Sequence, residues 1–230
     1  LRARDVDVVV AEDEEAAAQS VAELLADAAG NGAEIALTGG STPVRAYERA
    51  AGLEPDWSRA GVWWGDERCV PPDDERSNFG LTKRALFDKL ERQPGRVHRI
   101  RGEDEPQSAA ASYEQALRET KLDLVLLGLG PDGHVASLFP HSPGLAEPER
   151  LVIAADSKLD PYVERVTMTP PALRAADRIV FLVTGEAKAE AVAAALAGPP
   201  DPAVPGSLVR AESGQTLAIV DRKAASRLRD

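Results

Sequence analysis

The sequence predicts an α/β protein of three layers, a mostly parallel sheet with helices on both faces. Three observations carry this. Short apolar runs alternate with helical stretches along the chain, the pattern of successive strand–helix–strand units. The run at residues 122–127, LDLVLL, is apolar enough to be buried on both sides, as a central parallel strand must be. Two of the predicted strands run straight into glycine-rich turns, at Gly39-Gly40 and at Gly128–Gly133.

Taken in order, residues 6–10 read as a strand. Residues 13–29 read as a helix, acidic at its start where the helix dipole favours acids, and stopped by Gly30-Asn31-Gly32. Residues 34–38 form a second strand, followed by Gly39-Gly40-Ser41-Thr42-Pro43 and a helix to about Ala51. Residues 62–65 form a third strand. Ser77 is placed to cap a helix reaching about Leu90. Pro106 opens another, to about Thr120, because a first helical position has no N–H bond to lose. After the strand at 122–127, further strands are expected at 151–155, 163–169, 178–184 and 216–220, with an alanine-rich helix over 186–197. The stretch from Gly198 to Gly206 holds four prolines and reads as a loop. No repeat and no long linker divides the chain, so residues 1–230 are expected to form a single domain around a Rossmann-like sheet. In such sheets ligands sit beyond the carboxyl ends of the strands.

Composition narrows the function classes. Lys plus Arg is 27 and Asp plus Glu is 38, a net charge of −11. General nucleic-acid binding needs many cationic contacts to phosphate, so no nucleic-acid partner is expected. An anionic ligand would need a local positive pocket in a negative field. Cys69 is the only cysteine, which excludes an intrachain disulfide and suits a reducing compartment. There is no uncharged apolar run of about 18 residues and no signal-like start, so a cytoplasmic protein without a membrane partner is expected. A monomer or small homo-oligomer fits all of this.

Three motifs carry chemistry. In Thr38-Gly39-Gly40-Ser41-Thr42-Pro43, two glycines permit close approach of a ligand and Ser41 and Thr42 add hydroxyls. The free N–H groups of the helix that follows favour an anion. The alternative is a tight turn in which Ser or Thr is an ordinary helix cap. In Gly65-Asp66-Glu67-Arg68, with Ser77-Asn78-Phe79 beyond it, Arg68 at a strand end could meet an anion or oxyanion while an acid orients it; a solvated charge cluster is the alternative. The preceding Trp63 and Trp64 read as packing residues. Gly128-Leu129-Gly130-Pro131-Asp132-Gly133-His134 matches G-x-G-x-x-G after a strand, but Phe139-Pro140 and Ser142-Pro143-Gly144 prevent the helix that a dinucleotide site requires, and Asp132 would repel a pyrophosphate. What remains is an imidazole two residues from a carboxylate on a glycine-rich loop. Either His134 is a base, or the pair is an Asp–His turn bond without chemistry. His98 reads as structural, and His141 as a surface residue near enough to line a pocket. Three scattered histidines do not make a metal site, and no cofactor is expected. Lys188 sits at a helix start, an odd place for a cation on dipole grounds; a phosphate between Lys188 and Arg165 would explain it, and surface ion pairing is the alternative.

Together these blocks resemble the 6-phosphogluconolactonase family and, more distantly, the glucosamine-6-phosphate deaminases of the same glucosamine/galactosamine-6-phosphate isomerase superfamily. The resemblance runs through Leu37–Pro43, Trp64–Arg68 with Val70-Pro71 and Ser77-Asn78, Leu127–His134 with Ser137–Pro140, Arg165–Thr169, and Thr184-Gly185 with Lys188. It implies hydrolysis of 6-phospho-D-glucono-1,5-lactone to 6-phospho-D-gluconate in the oxidative pentose phosphate pathway. It implies that Gly39, Gly40, Ser41 and Thr42, with Arg165 and Lys188, hold the phosphate and that His134 is the base. Asp132 is a candidate to orient His134, Arg68 could stabilise the developing oxyanion or contact the sugar hydroxyls, and Asp66, Asn78 and Gly130 are expected among the substrate-binding residues. The competing readings are an amino-sugar-phosphate deaminase or isomerase and a non-catalytic sugar-phosphate sensor. Against the deaminase, Phe139 stands where those relatives carry the glutamate that partners the histidine.

Overall fold

The computed structural model describes residues 2–3, 5–53, 55–157 and 162–228. The strands are β1 (Arg2–Ala3), β2 (Val6–Ala11), β3 (Glu34–Leu37), β4 (Gly61–Trp64), β5 (Asp66–Arg68), β6 (Arg96–Val97), β7 (Leu124–Leu127), β8 (Val152–Ala155), β9 (Arg165–Met168), β10 (Arg178–Val183) and β11 (Gln215–Asp221). The α-helices are α1 (Glu14–Gly30), α2 (Val44–Gly52), α3 (Asn78–Ala85), α4 (Pro106–Arg118), α5 (Pro170–Arg174) and α6 (Ala189–Val192). The main sheet has eight strands in the order β1-β2-β11-β10-β7-β3-β4-β6, and all its pairs are parallel except the edge pair β1–β2. This is the layered α/β fold the alternation predicts. β4 and β7 are buried at every position, which is why they read as continuous apolar runs. No helix among the described residues is long and apolar enough to cross a membrane.

The strand order has a reversal in it. From β2 the chain steps in one direction, to β3, β4 and β6; from β7 it steps in the other, to β10 and β11. Right-handed crossovers then place α1, α2 and α3 on one face and α4, α5 and α6 on the other. In keeping with this, α1 packs on α2 and α2 on α3. β3 and β7 are hydrogen-bonded neighbours at the reversal, with Ile35 opposite Leu124 and Ala36 opposite Val125. The loops leaving their carboxyl ends therefore diverge and open a crevice between them.

Two expectations are corrected. Segments 151–155 and 163–169, read as strands of the parallel sheet, pair with each other instead, and with β5, in a separate antiparallel sheet of order β5-β9-β8. Residues 66–68, read as a strand-end loop, are its edge strand, and Met168 N donates to Gly65 O at 2.8 Å to join the two sheets. The helix expected over 186–197 breaks into a 3-10 turn at Glu186–Lys188, one α turn and a π turn at Ala193–Ala197. Gly185, at φ 92°, starts it without a side-chain cap, and the Arg210 guanidinium takes Ala195 O at 2.6 Å near its end. Asp13 caps α1 through a 2.8 Å bond to Ala16 N, and Ser77 caps α3 as expected.

Two buried tyrosines close the strand ends that lead to the crevice. Tyr47 on α2 accepts from Thr38 N at 3.0 Å and donates to Thr38 O at 2.6 Å. Tyr113 on α4 does the same for Trp64, at 2.8 and 3.0 Å. Burial pushes both phenols far above their ordinary pKa, so they stay protonated donors. Each hydroxyl satisfies a backbone pair that the sheet ladder leaves open. Tyr113→Phe strands two buried groups at Trp64, so unfolding free energy should fall by about 1–3 kcal/mol. In urea this reads as a lower midpoint at unchanged slope. A change below about 0.5 kcal/mol, the level of an ordinary surface substitution, would mean that Trp64 finds other partners.

Candidate active site

Four loops and strand ends meet over the crevice and enclose a cavity of about 250 Å³. Of Gly39, Gly40, Ser41, Thr42, Asp66, Arg68, Asn78, Gly130, Asp132, His134, Arg165 and Lys188, all line it except Asp132, which stands behind His134. The first wall is the turn after β3. Gly40 sits at φ 90°, and a Cβ on Gly39 would lie 1.8 Å from Asn78 Oδ1, so neither position accepts a side chain without rearrangement. The N-cap of α2 is Pro43, with no side-chain cap. Ser41 and Thr42 are thus not the caps of an ordinary turn, and Ser41 is exposed beside the cavity.

The second wall is β5 with the start of α3. Glu67 is 2% exposed and accepts four bonds: from Arg68 N and Asn78 N at 2.7 Å, Phe79 N at 2.8 Å and Ser77 Oγ at 3.0 Å. Burial pushes its carboxyl up, against the pull of these donors. It faces the first N–H groups of α3 and ties that helix to β5, so Glu67 is structural. Asp66, 5% exposed, accepts from Ser137 Oγ at 2.6 Å, and Asn78 Nδ2 donates to Asp66 O at 2.8 Å. Two buried polar atoms at this wall, Arg68 Nε and Asn78 Oδ1, have no hydrogen-bond partner among the described residues. Arg68 and Arg165 are register partners across β5–β9, which sets two guanidinium groups side by side on the cavity. Burial pushes Arg165 below its ordinary value, while the carboxylate of Asp66 pulls it back up.

The third wall is the loop after β7. Gly130 N donates to His134 O and Gly133 N to Gly130 O, each at 2.9 Å, so the chain turns back instead of entering a helix. The dinucleotide reading fails for the reason expected. His134 Nδ1 lies 2.6 Å from Asp132 Oδ1. Burial disfavours a charged Asp132, but the hydrogen bond and charge of His134 outweigh it and hold the carboxyl below the usual carboxylate range. An Nδ1–H donated to this carboxylate leaves the lone pair on Nε2. The Phe139 ring packs against the imidazole, centroids 5.0 Å apart. The fourth wall is Lys188, which follows the Gly185 turn; burial pushes its ammonium down, and the carboxylate of Asp132 draws it up.

The remaining candidates lie elsewhere. His98 stacks on Trp63 at 3.9 Å and 9°, a packing role as expected. His141 is exposed and does not line the cavity. Burial, with the charges of Glu164 and Glu67, pushes the Cys69 thiol up to about 11, so it stays protonated and is no nucleophile. A larger groove of about 510 Å³ runs past Glu48 and Asp56, but Lys89 and Arg92 already pair with them at 2.9 and 3.1 Å. Sequence reasoning did not single out Ser137 or the packing of Phe139 on His134. Both lie in the Ser137–Pro140 run, but nothing local says which way those side chains turn.

The family described as glucosamine-6-phosphate isomerases/6-phosphogluconolactonase matches residues 10–218 of the chain. The chain belongs to this family. Within it, the chain is 38% identical over 235 residues to the 6-phosphogluconolactonase of Streptomyces coelicolor, covering 94% of this chain and 90% of that protein. It is 37% identical over 209 residues to the 6-phosphogluconolactonase of Mycobacterium tuberculosis, covering 84% of each. The crystal structure of a 6-phosphogluconolactonase from Thermotoga maritima superposes with a TM-score of 0.80 at 29% identity, over 94% of this chain and 99% of that one. A monomeric glucosamine-6-phosphate deaminase shares the fold, with a TM-score of 0.86 at 23% identity over 96% of this chain and 100% of that one.

Gly130 is the position on which the His134–Asp132 pair depends, because an added Cβ would stand 2.0 Å from His134 Nδ1 and 2.6 Å from Asp132 Oδ1. Gly130→Ala should abolish the downfield Nδ1 proton resonance that such a short His–Asp bond gives in proton NMR. Gly128→Ala, where nothing lies within 4 Å of the added carbon, should keep it. The resonance surviving in Gly130→Ala would show that the pair re-forms elsewhere.

Proposed function

We propose that this chain hydrolyses 6-phospho-D-glucono-1,5-lactone to 6-phospho-D-gluconate, a step of the oxidative pentose phosphate pathway, by general-base activation of water. The observation that carries the mechanism is the 2.6 Å bond from His134 Nδ1 to Asp132, on a ring that borders a cavity rich in cations. Water attacks the lactone carbonyl carbon as His134 Nε2 takes its proton. Asp132 holds the ring in the reactive tautomer and stabilises the imidazolium that forms. Arg68, beside Arg165, meets the negative charge that develops on the carbonyl oxygen. The tetrahedral intermediate then collapses, the C1–O5 bond breaks, and the imidazolium returns its proton to O5 as it leaves. Neither a covalent nucleophile nor a metal enters this scheme.

The phosphate is assigned to the turn at Gly39, Gly40, Ser41 and Thr42, with Lys188 and Arg165 as its cations. Asp66 and Asn78 brace this wall and Gly130 makes room for the imidazole. Both cations are partly desolvated, which strengthens their attraction for a dianion. A deaminase would need a proton-carrying partner for His134 on the side where Phe139 packs, and a phenyl ring carries none. The single cysteine suits work in the reducing cytoplasm, as one domain and as a monomer or small homo-oligomer, and a net charge of −11 disfavours nucleic acid as a partner.

Purified protein given freshly generated phosphogluconolactone should release acid well above the spontaneous rate and should release no ammonia from glucosamine 6-phosphate. Ammonia release without lactone hydrolysis would overturn the assignment. His134→Ala should lower kcat by roughly 10²–10⁴-fold with the fold retained, the usual share of a positioned acid–base group. A folded variant with near-normal kcat would remove His134 from the role of base.

The phosphate lies away from the bond that breaks, so its contacts should differ little between bound substrate and transition state. Lys188→Ala and Arg165→Ala should therefore raise KM by about 10- to 150-fold, the worth of a charge-assisted hydrogen bond, and leave kcat nearly unchanged. An unphosphorylated gluconolactone should feel little of either change. Equal losses on both substrates would move these cations to the reacting end of the site.

A further inference from the structure

The proline-rich stretch after Gly198 takes no part in the mechanism above, yet it is built against the back of the catalytic loop. Gly206 N donates to Gly133 O at 2.8 Å, and His141 N donates to Pro202 O at 3.0 Å, so the strap holds the loop at both ends. Between these bonds, Val204 fills the space beside Gly133. A Cβ on Gly133, which sits at φ 81°, would lie 2.7 Å from Val204 Cγ1. Gly206 packs as closely on Leu129, which lines the cavity: its own Cβ would lie 2.6 Å from Leu129 Cδ1.

The strap is itself clasped. Ser207, 4% exposed, donates from Oγ to Asp201 O at 3.2 Å and accepts from Asp201 N at 2.8 Å, closing the turn that carries Val204. Val204 N bonds back to Asp201 O at 2.8 Å. Arg210 ties the same turn to the helical segment that starts at Glu186, donating to Gly206 O at 2.9 Å and to Ala195 O at 2.6 Å. Prolines at 199, 200, 202 and 205 remove backbone freedom that the strap would otherwise lose on folding. The peptide it grips immediately precedes His134, so any shift of the Gly133 carbonyl turns the imidazole.

We infer that Val204, on the Ser207-clasped strap 201–207, is a positioning residue that fixes the Gly133 peptide and through it the His134 imidazole against Asp132. Val204 touches no reacting atom. Its effect rests on His134 being the base, and it is read as a loss of alignment: binding contacts stay in place while the ring samples poorer geometry. A misplacement of 1 Å can cost about 10²-fold in rate, and a loosened wedge should cost less than that.

Val204→Ala opens space behind Gly133 and should lower kcat for lactone hydrolysis by about 5- to 50-fold, within that limit, with KM unchanged within about twofold. The downfield Nδ1 proton of His134 should broaden or move upfield, while the resonances of His98 stay put. Val204→Thr keeps the branched shape at this half-buried position and should restore kcat and the resonance. Ser207→Ala, which unclasps the turn, should act in the same direction and decides the matter if Val204→Ala does not fold. A folded Val204→Ala with wild-type kcat and an unmoved Nδ1 proton overturns the inference, as does a loss that Val204→Thr fails to restore. If His134→Ala kept its kcat, the base assignment would fall, but the Nδ1 proton in Val204→Ala would still report whether the strap sets the ring.

Discussion

Two neighbouring parallel strands, β3 and β7, send their chains away in opposite directions, and the site exists because of that reversal. Each crossover is right-handed, so a change of direction along the sheet is also a change of face. The loop after β3 must reach a helix on one side and the chain after β7 must leave towards the other. Glycines at 39 and 130 keep the gap between the two loops open, and at both positions a single added carbon would collide with a site residue. The cradle and the imidazole are therefore two consequences of one topological constraint.

A chain with a net charge of −11 gathers Arg68, Arg165 and Lys188 on one cavity. Setting Arg68 and Arg165 opposite each other in a ladder is unfavourable by itself. The fold offsets this with acids already committed to other bonds: Asp66 to Ser137 and Glu67 to the start of α3. Their charges favour the Arg165 guanidinium against the burial that disfavours it, while Arg68 is anchored by donating to Arg76 O at 2.5 Å. The positive pocket is thus local, in a molecule whose outer field repels stray anions.

Most of the fold was legible because its signals are local. Alternating apolar runs, the caps at Asp13 and Ser77 and the proline at Pro106 each act within one turn of chain. The His134–Asp132 pair was legible for the same reason, two residues apart on one loop. The antiparallel sheet was not. Residues 152–155 and 165–168 look like strands of either sheet, and only tertiary pairing with β5 decides between them. Glu67 was unreadable because its four donors come from its own neighbour and from residues ten to twelve positions on. The π turn that ends the segment over 186–197 carries a bond from Arg210 to Ala195 O, a distant contact that no propensity encodes.

The division of labour among these groups follows from where charge changes during the reaction. In the proposed mechanism, charge appears on the carbonyl oxygen and on the imidazole, and disappears again when O5 leaves. Only contacts at those atoms can be stronger in the transition state than in the bound substrate, and only they raise kcat. His134 is held on Nδ1 by Asp132, on its face by Phe139 and through its backbone by Gly130, so the ring keeps one orientation while its charge alternates. The phosphate end needs no such restraint. As proposed phosphate ligands, Lys188 and Arg165 would attract a dianion over a range of geometries, and a lysine on a flexible stem at a helix start would suffice there. Under the proposed assignments, a base and an anion cradle on facing loops of one crevice would let substrate dock by charge first and then meet an imidazole already aligned.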